Sequence, residues 1–230
     1  MRRDRVRIKF AVPLVVFGVI GFAVIVAIQM LHGRTVVERF LSEATSLQLR
    51  VAGMGEVQGL AARYRDHVTT ACDSEGCAYT FGFDNGWLRR LRLAPYTRLT
   101  CTLGVSGGLL VHRRLVMISG NNSGPFGAFV EEWLSYPRGL EMLVKPFDAR
   151  RQPAGTRADI RWRIHVFLLA DATPDQHRIA YDLNAACLSK IGGCEDARQL
   201  LPSVDWNTLP EVLIDQSLPR VMSRRLSLNN

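Results

Sequence analysis

The residues of this chain that have the chemistry for catalysis or metal binding are few and scattered. No two of the five histidines, His32, His67, His112, His165 and His177, stand at a spacing that ligates a common metal. His165 lies in an alternating run beside Arg161 and Arg163, on the polar side of the alternation, and would need a partner from elsewhere to work as base or ligand. Glu131-Glu132 and Glu195-Asp196 are adjacent acids. Acid–base catalysis needs two carboxylates in different environments at a set separation. Neighbours on a strand point to opposite faces, so Glu131-Glu132 reads as a surface pair. Glu195-Asp196 suits the first turn of a helix, where negative charge meets the positive dipole end. Asp175 and His177 read as a solvated turn, and Asp171, Asp175 and Asp182 lack calcium-loop spacing. The nucleophile elbow, the P-loop, the H-E-x-x-H zinc motif and the dinucleotide fingerprint are absent. Gly104-Val105-Ser106-Gly107 lacks the elbow's spacing and falls at a hairpin turn. No catalytic residue, metal ligand or cofactor site is assigned, and no cofactor is expected.

The cysteines say more. Cys72 and Cys77 enclose DSEG, and Cys187 and Cys194 enclose LSKIGG, short polar loops of the kind a disulfide closes. A four-thiolate zinc site uses tighter knuckles, and the second spacing is too wide for one. Disulfides are therefore expected among Cys72, Cys77, Cys187 and Cys194, with pairing across the two clusters left open. Cys101 is left over, in an alternating run, as a buried free thiol. One further cluster, Trp87 with Arg89, Arg90 and Arg92, has the composition of a patch for phosphate, anionic lipid or glycan. Asn121-Asn122-Ser123 matches a glycosylation sequon.

These residues must be positioned by what surrounds Phe10–Leu31, a run of 22 residues without a charge. As a helix it spans about 33 Å, enough for a hydrocarbon core of about 30 Å. A signal peptide has a shorter apolar stretch and a small-residue cleavage site, and this run exits through Met30-Leu31-His32-Gly33. It reads as a retained transmembrane helix. Residues 1–9 carry five basic side chains against one acid, half of the chain's formal charge of +8. The positive-inside rule puts that tail in the cytoplasm and the remainder outside. The high basicity is thus partly a topology signal, and no nucleic-acid partner is expected.

Beyond a break at His32-Gly33, residues 32–46 form an amphipathic helix, with Val36, Val37, Phe40, Leu41, Ala44 and Leu47 on the face packed against its own domain. A short strand is expected at Leu47–Val51 and a helix at Glu56–Arg65. Period-two patterns then give strands at Cys77–Phe83, Thr97–Val105, Leu109–Ser119 and Ile160–Ala170. The register of the strand from Leu109 is open, because Arg113 and Arg114 fall on opposite faces. Trp87–Leu93 fits helix or strand, and so does Phe129–Leu134. Residues 137–156, with three prolines, read as a long, partly irregular connection. Thr173-Pro174-Asp175 is expected to turn the chain into a returning strand through Ile179, Tyr181 and Leu183. A short helix follows near Glu195–Leu201, and the last thirty residues read as a loosely packed tail.

The expected fold class is α+β: one transmembrane helix, then a single extracytoplasmic domain at residues 47–205 on a largely antiparallel sheet, with a sandwich as one form the sheet could take, and a tail at 206–230. An apolar N-terminal helix, an amphipathic helix and a β-rich domain ending in a cysteine loop resembles the layout of type IV pilins and pseudopilins. Ile8-Lys9 stands where those proteins carry a glycine before the helix, and the span lacks their glutamate, so the resemblance stops at layout. The expected function is a non-enzymatic binding or accessory subunit of an envelope complex. It would sit in a bacterial inner membrane, with its domain periplasmic or extracellular, and touch the bilayer through residues 10–31 and a protein partner beyond. The alternative is an anchored hydrolase built around His165 or His112.

Overall fold

In a computed structural model the chain is described at residues 4–120, 126–134, 146–154 and 161–209, with side chains from Val15 onward except at 153, 154 and 161. The first element, α1 (Asp4–Ser46), is a single 43-residue helix. The break expected at His32-Gly33 is absent, and the helix runs through it. By length and composition this helix is able to cross a membrane, a property that membrane spans and signal sequences share. Val15–Leu31 is mostly exposed, whereas Val37, Phe40, Leu41 and Ala44 are buried. The 3.6-residue spacing of these apolar positions puts them on one stripe, which packs on the domain.

That domain is one sheet of seven mostly antiparallel strands: β1 (Val68–Cys72), β2 (Cys77–Asp84), β3 (Tyr96–Ser106), β4 (Leu109–Gly120), β5 (Phe126–Trp133), β6 (Phe147–Ala154) and β7 (Arg161–Leu169). The spatial order is β1-β2-β3-β4-β5-β7-β6. Only β5 and β7 run parallel, because β6 crosses to the outer edge between them. The sandwich form is not adopted. One face of the sheet is packed by helices, and its inward residues alternate as period two requires. Tyr79, Phe81 and Phe83 of β2 face inward with Leu99, Cys101, Leu103 and Val105 of β3 and Ile164, Val166 and Leu168 of β7. Phe40 inserts its ring among Tyr64, Phe81 and Phe83, at centroid distances of 5.1, 4.9 and 4.8 Å.

Helices α2 (Met54–Arg63), α4 (Pro174–Tyr181) and α5 (Ala197–Leu200) contribute buried residues to the same core, and α3 (Gly86–Arg90) precedes β3. Leu47–Val51 is turn rather than strand. Its end still bonds to the start of β4, through Arg50 N to the Leu110 carbonyl and Leu110 N to that of Ala52. Phe129–Leu134 resolves as strand, and Trp87–Leu93 as a short helix with a turn. Part of the connection expected as irregular is β6, and its residues 137–145, 155 and 156 lie outside the described residues, as do the sequon and the tail from 210. Trp206 is buried, so the packed body extends past the boundary drawn at 205.

The returning strand expected at 179–183 is the helix α4 with its downstream turn. Thr173 caps it: the Thr173 hydroxyl accepts from Gln176 N, and the Gln176 side chain accepts from Thr173 N at 2.8 Å. Pro174 stands at the first helical position, where its missing N–H costs nothing.

Candidate functional site

Between β3 and β4 the register slips at Gly104/Val105, so that Leu110 opposes Val105 while His112 opposes Gly104. This bulge at Val111 resolves the phase of β4. Strict alternation from Leu110 would send His112 and Arg114 inward. The extra residue sends Arg113, Leu115 and Met117 there instead. Arg113 is the largest fully buried side chain, with 2 % of its surface exposed.

Arg113 meets its counter-charge on the next strand, directly across the pairing. Its Nη1 is 3.1 Å from Oε2 of Glu132. Nη1 also donates to the Thr45 carbonyl at 3.3 Å, and Nη2 donates to that of Leu47. These carbonyls lie at and just past the end of α1 (Asp4–Ser46), where the last turn's carbonyls have no N–H donors of their own. The guanidinium lies 5.1 Å from the Tyr181 ring centroid. Glu132, also buried, accepts from the Tyr181 hydroxyl and contacts Nε2 of His177 at 3.0 Å, while Nδ1 of His177 donates to the Thr173 carbonyl at 3.1 Å. Burial, reinforced by Glu132, holds the Tyr181 hydroxyl well above its ordinary value, although Arg113 opposes the shift. Four elements (α1, β4, β5 and α4) thus meet in one charge cluster. A cleft of about 640 Å³ opens beside it, walled in part by Ser42, Ser46, Gln48 and Arg178.

Two readings made from sequence are corrected here. Glu132 is a buried partner of Arg113, whereas only Glu131 fits a surface pair, 3.0 Å from Arg114 on the opposite face. His177 lies on a helix within the cluster and not in a solvated turn. Its cue was available in Thr173-Pro174-Asp175-Gln176, a helix-start signature. Nothing local flagged Arg113 or Tyr181, because a bulge and a cross-strand partner bring them in.

The opposite face of the sheet carries the histidines singled out earlier. His112 stacks on Trp133 at 3.7 Å between centroids, and His165 stacks on Phe129 at 4.7 Å. Burial, with Arg114 adding, pushes His112 down to about 4. Burial, then Arg163 and Arg114, does the same to His165. Nε2 of each histidine and Nε1 of Trp133 are shielded from solvent and make no hydrogen bond. Neither histidine has a carboxylate partner among the described residues.

The cysteine sulfurs of Cys72 and Cys77 are 2.09 Å apart, and those of Cys187 and Cys194 are 1.97 Å apart. Pairing is therefore within each cluster, and the first bond closes the β1–β2 hairpin. Cys101 is free on the core face, its thiol pushed up to about 12 by burial. Trp87, Arg89 and Arg90 lie on α3 and Arg92 in the turn after it, and they line none of the cleft beside the charge cluster. Among the described residues no group of three His, Cys, Asp or Glu is placed to hold a metal. No protein-family model, curated protein or solved structure matches the chain significantly.

Proposed function

We propose that the protein is a single-pass membrane-anchored binding subunit, whose domain presents the second face of its sheet to a protein partner outside the membrane. The observation that supports this reading is the composition of that face. Along β4, β5 and β7 it carries His112, Arg114, Trp133, Phe129, His165 and Phe167, all half-buried, and none belongs to the core that the helices cover. Unpaired polar groups shielded from water are costly, and three ring nitrogens on one face are in that state. A partner that lays a segment across the stripe would cover what remains exposed of the aromatic rings. Stacked aromatics with interleaved arginine have the composition of an interface centre.

The hydrolase alternative would draw on the His177–Glu132 pair, beside an open cleft with two serines. Both ring nitrogens of His177 are engaged, and Glu132 also holds Arg113 and Tyr181. No ring nitrogen is left to take a proton from a nucleophile. The cluster is better suited to fastening α1 to the sheet.

The test is a photo-crosslinking amino acid placed at Phe129 or Phe167 in the full chain, in its native membrane, with Leu109 on the β3–β4 hairpin as control. A discrete protein adduct at both face positions and none at Leu109 is the expected result. Adducts at none of the three, or equally at all, would dispose of the binding face.

A further inference from the structure

The lower half of the domain does not stand clear of the apolar helix. A groove of about 590 Å³ has Phe22, Val26, Met30 and Leu31 on one wall and Leu93 and Ile191 on the other. Val26 is 7 % exposed, while Val24, Ile25 and Ile28 beside it remain at 51–62 %. The domain therefore extends alongside the uncharged run, down to a level well before its end at Leu31. Five residues separate Val26 from Leu31, about 8 Å along a helix axis. From Phe10 to Gly33 no residue carries a formal charge, about 36 Å against a hydrocarbon core of about 30 Å, so the helix has only about 6 Å of vertical freedom before Lys9 or Arg34 enters the lipid. Val26 then lies below the hydrocarbon boundary, and whatever flanks it lies there too.

The residues at this level suit that position. Leu91 and Ile191 are 44 % and 55 % exposed, large apolar side chains at the tips of two adjacent loops. The loops are tied together by Gly192 N donating to the Leu93 carbonyl at 2.8 Å. The first is fixed from behind by buried Asn85, which donates to the Pro95 carbonyl and accepts from Thr97 N, each at 2.8 Å. The second is closed by the Cys187–Cys194 bond. Arg89 and Arg90 at the end of α3, and Arg92 and Lys190 on the loops, are exposed, four cations against Glu195 in the adjoining cleft and Asp84 beside Trp87. Trp87 lines a small cavity with Gln29, Met30, His32 and Gly33, where the apolar run meets its first polar residues. Tryptophan is enriched at that level of a bilayer, and arginine and lysine extend from it to the headgroups.

We infer that the Leu91–Leu93 turn and the Ile191 loop form a second membrane contact, seated in the outer-leaflet interface of an anionic bilayer, with the surrounding arginines and lysine on lipid phosphates. This rests on reading α1 as a membrane span. Continuity with that span and the excess of positive charge select lipid as the occupant, and interfacial elements seat roughly 5–10 Å deep.

The test uses nitroxide labels at Leu91→Cys, Ile191→Cys, Phe17→Cys and Val51→Cys, each in the full chain reconstituted into vesicles of phosphatidylcholine and phosphatidylglycerol. Cys101 is buried and does not label in the folded protein. Positions 91 and 191 should show an oxygen-to-nickel accessibility ratio at least about threefold that of Val51, in the same sense as Phe17. Replacing Arg89, Arg90, Arg92 and Lys190 with glutamine should abolish any preference for spin-labelled phosphatidylglycerol over phosphatidylcholine at the protein boundary. If Phe17 reads as lipid while 91 and 191 match Val51, the second contact is overturned and the anchor stands. If Phe17 also reads as aqueous, the anchor itself is wrong and this inference falls with it. A lipid preference unchanged by the glutamine variant would overturn the headgroup assignment.

Discussion

Removing the charge from Glu132 should loosen the domain more than any surface change can. In Glu132→Gln the guanidinium of Arg113 stays where it is, 2 % exposed, without its carboxylate at 3.1 Å. At an effective dielectric of 20 that attraction is about 5 kcal/mol before desolvation is counted. The stranded charge keeps the Thr45 and Leu47 carbonyls and the face of Tyr181, none of which carries a compensating charge. Breaking one side of a buried pair costs about 3–5 kcal/mol, whereas replacing both sides with apolar groups is often neutral. The expected pattern is therefore a loss of about 3–4 kcal/mol for Glu132→Gln, a similar loss for Arg113→Met, and a double Arg113→Met/Glu132→Leu variant more stable than either single one. The assay is urea unfolding of the full chain in detergent micelles, followed by tryptophan fluorescence. Single losses below about 1 kcal/mol, or losses that simply add in the double variant, would refute the argument that the pair is buried and coupled.

Three other outcomes follow from the same geometry. Because His112 and His165 sit near 4 when folded and near 6.5 when unfolded, the unfolded chain binds more protons between those values. Stability should thus fall as pH drops from 6.5 towards 4, by roughly 1–2 kcal/mol per ring at pH 5, and a flat profile in wild type would contradict the burial of the rings. Alkylation of the unfolded, unreduced chain should modify one thiol, Cys101, with four more appearing after reduction. Five at once would mean that the disulfides do not form. Gly76→Ala would place a Cβ 2.0 Å from the Val105 carbonyl oxygen and should cost at least about 2 kcal/mol, whereas Gly59→Ala, in α2 with open space around it, should stabilise by up to about 1 kcal/mol. Melting temperatures of the two alanine variants decide between these signs.

What the sequence displayed, and what it hid, divides along a physical line. Where one face is covered, alternation is enforced at every second residue, so β2, β3 and β7 were legible as strands from their period-two runs. The same holds for the stripe Val37-Phe40-Leu41-Ala44. Glu132 was misassigned because two adjacent acids look alike locally, although a strand with one covered face must turn one of them inward. Which one turns inward depends on Arg113, and the inward aim of Arg113 depends on a bulge set by the β3 partner. The Ile179-Tyr181-Leu183 alternation was too short to outweigh the cap at Thr173, because three apolar positions fit either period. A sandwich and a single helix-covered sheet share the same strand pattern, and the choice lies in where the helices dock.

The persistence of α1 through Gly33 bears on how the domain would be held above a membrane. Glycine within a helix costs about 1 kcal/mol relative to alanine, and Gly33 makes no close packing that would offset it. The helix is kept intact by what flanks that residue: packing from Val37 to Ala44 on one side and the apolar run on the other. Arg113 then holds the far end by donating to the Thr45 and Leu47 carbonyls. On the proposed topology there is no hinge between bilayer and sheet, and the binding face is held at a fixed height, since Ser46 lies about 22 Å along the axis beyond Leu31. A flexible Gly-Ser insertion between Gly33 and Arg34 should therefore leave urea unfolding of the domain unchanged while abolishing the adducts at Phe129 and Phe167. Adducts of undiminished yield would mean that the partner finds this face without the rigid helix, and that its continuity serves the fold alone.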